Sequence, residues 1–62
     1  MDYHKIYQQL IDKGKTTLRP DEYQESHHII PQCLGGDDSK ENLVKLTAKE
    51  HYLAHHLLYK MH

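Results

Sequence analysis

The apolar positions near the amino terminus repeat with the period of an α-helix. Five apolar residues follow the i, i+3, i+4, i+7, i+8 spacing that places side chains on one helical face: Tyr3, Ile6, Tyr7, Leu10 and Ile11. Asp2 can cap the start of this helix, and Gly14 is suited to end it. We therefore predict an amphipathic helix over about residues 3–13 that covers one side of a small core.

An extended segment is predicted after a polar connection. Residues 14–22 lack periodicity and contain a proline, which is typical of a loop. Residues 23–30 then predict a β-strand, in which alternate side chains share a face. His27 shares a face with Glu25, whereas His28 points to the other side. The two adjacent histidines are therefore expected to have different roles.

A second strand is predicted across a long connection. A proline ends the first strand, and a glycine pair at 35–36 allows the chain to reverse. Residues 42–46 predict a short antiparallel partner, so residues 31–41 form the connection. A connection of this length in a small domain is usually functional or held by specific side-chain bonds. Asn42 is suited to hold it, because its amide both donates and accepts hydrogen bonds.

The carboxyl-terminal segment predicts a second helix. Thr47 and Glu50 have the spacing of a capping box, so the helix should begin near Ala48. His51 and His55 lie one turn apart at the edge of its apolar face, where they should open toward the two strands. That apolar face consists of Leu53, Ala54, Leu57, Leu58 and Met61.

Other aromatic, histidine and cysteine residues are expected to have structural or surface positions. Tyr52 and Tyr59 should complete the core, with contact to a nucleic acid as the alternative. His4 and His56 should face solvent. Cys33 should be a small buried or loop residue rather than a ligand.

Size and composition limit how the chain reaches stability. The 62 residues form one small domain, and the single cysteine cannot form an internal disulfide. A bound metal ion or the remainder of a longer protein is therefore expected on stability grounds. The chain has no apolar run of membrane-spanning length and no signal-peptide layout, which predicts a soluble, intracellular protein.

The net charge of the chain argues against a protein that binds nucleic acid mainly by electrostatic attraction. The formal net charge is −1, whereas such binders normally carry a basic excess. Lys13, Lys15 and Arg19 nevertheless form a stretch without intervening acids. This stretch is either a solvated loop or an edge that contacts phosphate.

The histidine spacing is typical of a metal site. His51 and His55 can bind one ion from a single helical face, and His27 is the candidate third ligand. Three protein ligands leave positions open for water or substrate, as catalysis requires. His28 would remain unligated, and imidazole is well suited to general-base work near neutral pH. Glu25 could orient a ligand or a cation, with a plain surface carboxylate as the alternative.

The ordered combination of these motifs resembles the HNH endonucleases with the ββα-metal (His-Me finger) fold, which include colicin-type nuclease domains. The matching segments are Glu25-Ser26-His27-His28-Ile29-Ile30-Pro31, Gly35-Gly36, Asn42-Leu43 and His51-Tyr52-Leu53-Ala54-His55. With its tyrosine-rich first helix, the chain most closely resembles small phage-encoded HNH enzymes of homing-endonuclease type. The resemblance implies an α+β fold in which residues 1–62 form one nuclease domain, with the ββα-metal core in residues 23–62.

The resemblance also implies roles for individual residues. It implies that His27 and His51 are metal ligands, and that His55 is a further ligand as in the colicin-like branch. It implies that His28 is the general base and that Asn42 braces the loop that holds it. The implied reaction is metal-assisted hydrolysis of a DNA phosphodiester that leaves 5′-phosphate and 3′-hydroxyl ends.

The implied partner is double-stranded DNA. The two strands and the final helix would sit against the minor groove and backbone, with Lys45, Lys49 and Arg19 meeting phosphates. Activity would use one divalent ion, Mg²⁺ or Mn²⁺, while imidazole ligands also suit Zn²⁺ or Ni²⁺. The expected location is the cytoplasm of a bacterial host, with the protein encoded by the host or by a phage.

The sequence is compatible with several alternatives. Paired Cys-x-x-Cys knuckles and separate DNA-reading modules, common around this core, are not found in the chain. Specificity could therefore come from a homodimer or from an additional DNA-binding module in a longer parent protein. Two rival functions are a degenerate HNH module that binds nucleic acid without cleaving it, and a toxin-type nuclease acting on RNA or non-specifically on DNA.

Overall fold

The computed structural model describes residues 1–17 and 21–62 and shows an α+β fold, as predicted. Neither helix in these residues is long and apolar enough to span a membrane. Two short 3₁₀ turns, Gln32–Leu34 and Lys40–Asn42, lie in the connection between the strands. The helices and strands are α1 (Tyr3–Thr16), β1 (Glu25–His28), β2 (Leu43–Leu46) and α2 (Ala48–Met61).

Helix α1 is longer than its sequence pattern predicts. Asp2 caps it as predicted, but the helix passes through Gly14 and ends at Thr16. A Cβ atom at Gly14 would lie 2.7 Å from Leu46 Cδ2 and 2.9 Å from Val44 Cγ2. This glycine is therefore required for close packing of α1 on β2, and the prediction that it ends the helix was wrong.

Strands β1 and β2 form an antiparallel ribbon that is shorter than the predicted segments. His27 pairs with Val44, and His28 pairs with Leu43. The two adjacent histidines differ in burial as the alternation predicts. His27 is 1% exposed, whereas the side chain of His28 is 32% exposed.

The core lies between the two helices and the inner face of the ribbon. It is formed by Tyr7 and Ile11 of α1, by Val44 and Leu46 of β2, and by three residues of α2: Ala54, Leu57 and Leu58. Burial of this apolar surface supplies most of the folding free energy. Because His27 lies on the same face of the ribbon as Val44, its ring is held at the edge of this core.

Helix α2 begins as predicted but presents a narrower apolar face than expected. Thr47 and Glu50 form the complete capping box. Tyr52 and Tyr59 are 77% and 78% exposed, so the prediction that they complete the core was wrong. Leu53 is also exposed. The face turned toward the core is instead centred on small and branched side chains, which leaves the tyrosines on the outer side.

Two histidines and the single cysteine outside the core are exposed. His4 and His56 are exposed, as predicted. Cys33 is exposed in the first 3₁₀ turn, which confirms its interpretation as a loop residue. Arg19, one of the expected phosphate contacts, lies outside the described residues.

Candidate metal centre

Strand β1 and helix α2 bring three histidines together. His27 comes from the buried face of β1, and His51 and His55 lie one turn apart on α2. One ring nitrogen from each lies within 4.8 Å of the other two. The ring centroids of His27 are 5.0 Å and 5.3 Å from those of His51 and His55. The structure thus places together the three side chains that the sequence nominated as ligands.

One nitrogen of His27 is buried without a partner. Its Nε2 lies 2.8 Å from the Tyr7 hydroxyl. Its Nδ1 is the buried side-chain atom that lacks any hydrogen bond within the described part of the chain. Buried polar atoms in native proteins are nearly always paired, so an unpaired one requires an explanation. A lone pair on this nitrogen is suited to a metal ion bound among the three rings.

His51 is oriented by a carboxylate. Its Nδ1 donates a hydrogen bond of 2.7 Å to Glu25 Oε1. This bond, together with one from Tyr23, holds the pKa of Glu25 below its ordinary value. Donation from Nδ1 leaves a lone pair on His51 Nε2, which lies 3.1 Å from His55 Nε2. The contact favours the orienting role for Glu25 over that of a plain surface carboxylate.

The donor set fits a metal ion chemically. Burial, followed by the positive charges that His51, His55 and His28 carry when protonated, lowers the pKa of His27 to about 4. His27 is therefore neutral at physiological pH, which is the form that binds metals. The short contact between His51 and His55 needs a shared proton, and a cation can replace that proton. Neutral imidazoles suit Zn²⁺ and its first-row neighbours.

The metal-free protein should lose stability as the pH falls from about 6.5 to about 4. Unfolded His27 takes up a proton below its ordinary pKa of 6.5, whereas folded His27 does so only below about 4. The unfolded state therefore binds more protons in this window and gains free energy relative to the folded state. Through His27 alone, the free energy of unfolding should fall by roughly 3 kcal/mol across this pH range.

Urea unfolding in EDTA at a series of pH values measures this effect. The exposed residue His56 provides the control, because His56→Gln should show the same fall as the parent. A stability that stays level or rises between pH 6.5 and 4 would contradict the buried, neutral state of His27.

His28 lies on the same cleft but has a different partner. Its Nε2 is 2.7 Å from Asp38 Oδ1, and the side-chain amide of Gln32 also donates to that oxygen, at 3.2 Å. Because a carboxylate can only accept, Nε2 of His28 carries the proton and Nδ1 carries the lone pair. Sequence reasoning missed Asp38 and assigned it no role in the site. No spacing rule connects a loop carboxylate with a strand histidine ten positions earlier.

Asn42 holds the long connection closed. It is 8% exposed and uses both ends of its amide. Its Oδ1 accepts from the Ile30 amide at 2.8 Å, and its Nδ2 donates to the carbonyls of Ile30 and Asp37 at 3.1 and 2.8 Å. These are the donor and acceptor bonds predicted for this side chain. They also fix the backbone next to Asp38.

The histidine cluster and His28 line one cleft of about 310 Å³. Ser26, Pro31 and Gln32 form part of its wall. Outside the cleft, Lys45 is exposed and donates to Ser26 Oγ at 2.8 Å. Lys49 is exposed at the start of α2. Both lysines are thus accessible to an anion.

Comparison with known proteins gives relatives among phage endonucleases. No protein-family profile matches the chain, and no solved structure matches it. "Probable mobile endonuclease E" of Enterobacteria phage T4 is 53% identical over all 62 residues, which cover 44% of that protein. "Probable mobile endonuclease D" of the same phage is 52% identical over the whole chain, which covers 26% of it.

A shorter match is found outside phages. An uncharacterized 38.5 kDa protein in psbA intron 1 of Chlamydomonas moewusii is 54% identical over 35 residues, or 56% of this chain and 10% of that protein. The chain spans less than half the length of the curated relatives it matches. Along its whole length the chain is similar to part of the phage T4 mobile endonucleases. This similarity supports the resemblance to phage homing endonucleases that the sequence motifs indicate.

Proposed function

We propose that this domain is a metal-dependent DNA endonuclease of the HNH type. The observation that carries the proposal is the convergence of three histidine nitrogens within 4.8 Å on a cleft that also contains an unligated histidine, His28. The relatives named as mobile endonucleases support a nuclease role. The HNH subtype rests on the motifs and on the arrangement of the histidines.

The metal ion would be held by His27, His51 and His55. When bound, a divalent ion supplies positive charge that polarises a phosphoryl oxygen and stabilises the leaving 3′ oxygen. Nitrogen ligands of this kind accept Zn²⁺ and Ni²⁺ readily, and the same site with additional water can use Mg²⁺ or Mn²⁺. Glu25 orients His51 through its other nitrogen, which keeps the ligand nitrogen directed at the cluster.

His28 would act as the general base. Its Nδ1 carries a lone pair because Nε2 donates to Asp38. This nitrogen takes a proton from a water molecule in the cleft, and the oxygen of that water attacks phosphorus opposite the leaving 3′ oxygen. The bond from phosphorus to the 3′ oxygen breaks, and the leaving oxygen takes up a proton from solvent water. Asp38 stabilises the imidazolium that forms, and Asn42 fixes the backbone that carries Asp38. The expected products have 5′-phosphate and 3′-hydroxyl ends.

The substrate would be double-stranded DNA. Exposed Lys45 and Lys49 lie on elements that flank the histidine cluster, where they can neutralise phosphates. Arg19 is proposed as a further contact on the basis of the sequence alone. A net charge of −1 offers little non-specific attraction, so target selection is expected to need a second copy or further DNA-binding segments.

Cleavage of supercoiled plasmid across a panel of Mg²⁺, Mn²⁺, Zn²⁺ and Ni²⁺ tests the proposal. We expect nicked circles with at least one ion and no product in EDTA. DNA ligase should reseal the nicks directly, because ligation requires 5′-phosphate and 3′-hydroxyl ends. RNA of the same sequence serves as the matched substrate and should remain intact.

The outcomes separate the rival functions. A folded, metal-loaded protein that cleaves neither DNA nor RNA would overturn the nuclease proposal and favour a structural or regulatory metal module. Cleavage of RNA alone would favour a toxin-type ribonuclease. Nicked rather than linear plasmid is expected from a single active site, whereas linear product would indicate either dimerisation or sequential nicking of the two strands.

A further inference from the structure

Helix α1 contributes a polar group to the metal centre. Tyr7 is 5% exposed, and its ring packs in the core with Ile11. Its hydroxyl lies 2.8 Å from His27 Nε2 and 2.7 Å from the carbonyl oxygen of Ile29. The sequence pattern treats Tyr7 only as an apolar residue of a covering helix. The structure adds a specific contact with a candidate ligand twenty residues later.

The positions of the protons follow from these two contacts. A tyrosine hydroxyl has one proton, and tyrosine retains it at neutral pH. The Ile29 carbonyl can only accept, so Tyr7 donates its proton there. The hydroxyl oxygen can then only accept from His27. His27 therefore carries its proton on Nε2, and its buried Nδ1 has a lone pair.

We propose that Tyr7 is a positioning residue that selects Nδ1 of His27 as the nitrogen that binds the metal ion. Carbonyl, hydroxyl and imidazole form one ordered chain, which fixes both the tautomer and the plane of the ring. The other tautomer would place a proton on Nδ1 and block it as a ligand. The inference rests on the metal centre of the proposed function but not on DNA cleavage.

Replacement of Tyr7 by phenylalanine isolates the hydroxyl. The ring still fills the core, but Nε2 of His27 loses its acceptor, so neither ring nitrogen has a protein partner in either tautomer. His27 then no longer prefers the tautomer that has its proton on Nε2 and its lone pair on Nδ1. A packing role alone would leave metal affinity unchanged, because the volume of the side chain is almost the same.

Zn²⁺ binding measured by isothermal titration calorimetry provides the first test. We expect Tyr7→Phe to bind Zn²⁺ roughly 10- to 100-fold more weakly than the parent. Tyr3→Phe is the matched control, because Tyr3 lies on the same helix and packs against the same core. The Zn²⁺ affinity of this control should be within about threefold of that of the parent. A side chain that does not touch a metal ligand cannot orient that ligand.

The ¹⁵N spectrum of the metal-free parent at pH 7.5 provides a second test that needs no variant. His27 should show a protonated Nε2 and an unprotonated Nδ1. A proton on Nδ1 would overturn the proposed role of Tyr7 but not the metal centre. The same holds if the Zn²⁺ affinity of Tyr7→Phe is within threefold of that of the parent. A parent that binds no Zn²⁺, Ni²⁺ or Mn²⁺ would overturn the metal centre as well. A parent that binds metal in this way but cleaves nothing would overturn only the nuclease proposal.

Discussion

Replacing His28 with alanine should lower the rate of DNA cleavage by roughly 10²- to 10⁴-fold, because positioned general bases contribute that much. The His28 side chain contacts Asp38 in the loop and is not one of the three clustered histidines. Its loss should therefore leave metal binding intact. The catalytic defect should appear at saturating metal concentration and should not be overcome by adding more ion.

Plasmid nicking and Zn²⁺ titration on the same protein samples check this expectation. His4→Ala is the matched control, because His4 is an exposed histidine on α1 that does not line the cleft. The control should retain the parental cleavage rate. If His28→Ala cleaves DNA within threefold of the parent, another group is the base. If it loses Zn²⁺ binding instead, His28 is a ligand and its proposed role is wrong.

The parts of this site that sequence patterns predicted are those encoded by short-range geometry. His51 and His55 are four residues apart, so any helix through them presents both rings on one side. The capping box of Thr47 and Glu50 fixed the start of that helix independently of the rest of the fold. Strand alternation likewise separated His27 from His28. These signals depend on chain periodicity and need no knowledge of packing.

Contacts between distant segments were not predictable in the same way. The bond between Tyr7 and His27 and the bond between His28 and Asp38 depend on how α1 and the loop pack against β1. A tyrosine in an apolar stripe gives no sign that its hydroxyl will meet a histidine. At Gly14 a local rule gave the wrong prediction. The rule that a glycine ends a helix failed there, because the close approach of α1 to β2 requires a glycine within the helix.

The loop that carries Asp38 also depends on a glycine whose role only the structure explains. A Cβ atom at Gly36 would lie 1.7 Å from the carbonyl oxygen of Ile30 and 2.9 Å from Asn42 Nδ2. The first contact is with backbone, so no side-chain rotation can relieve it. To accept a methyl group, the loop must open and break the hydrogen bonds that Asn42 makes across it.

Gly36→Ala should therefore destabilise the domain by roughly 3 kcal/mol or more, since each buried bond that is lost costs about 1 kcal/mol and leaves polar groups unpaired. Small domains have little stability in reserve, so a large unfolded fraction is expected at 37 °C. Gly35→Ala is a close control. Gly35 has a φ of 95° but no atom within 4 Å of the added methyl group, so only backbone strain of about 1–2 kcal/mol applies.

Urea unfolding of the two metal-loaded variants beside the parent distinguishes a steric from a conformational requirement. The steric account expects Gly36→Ala to lose clearly more stability than Gly35→Ala, although Gly35 has the unusual backbone angle. Equal losses, or a larger loss at Gly35, would mean that the loop can move aside at Gly36. In that case the hydrogen bonds of Asn42 would contribute less to the stability of the loop beside Asp38 than their geometry implies.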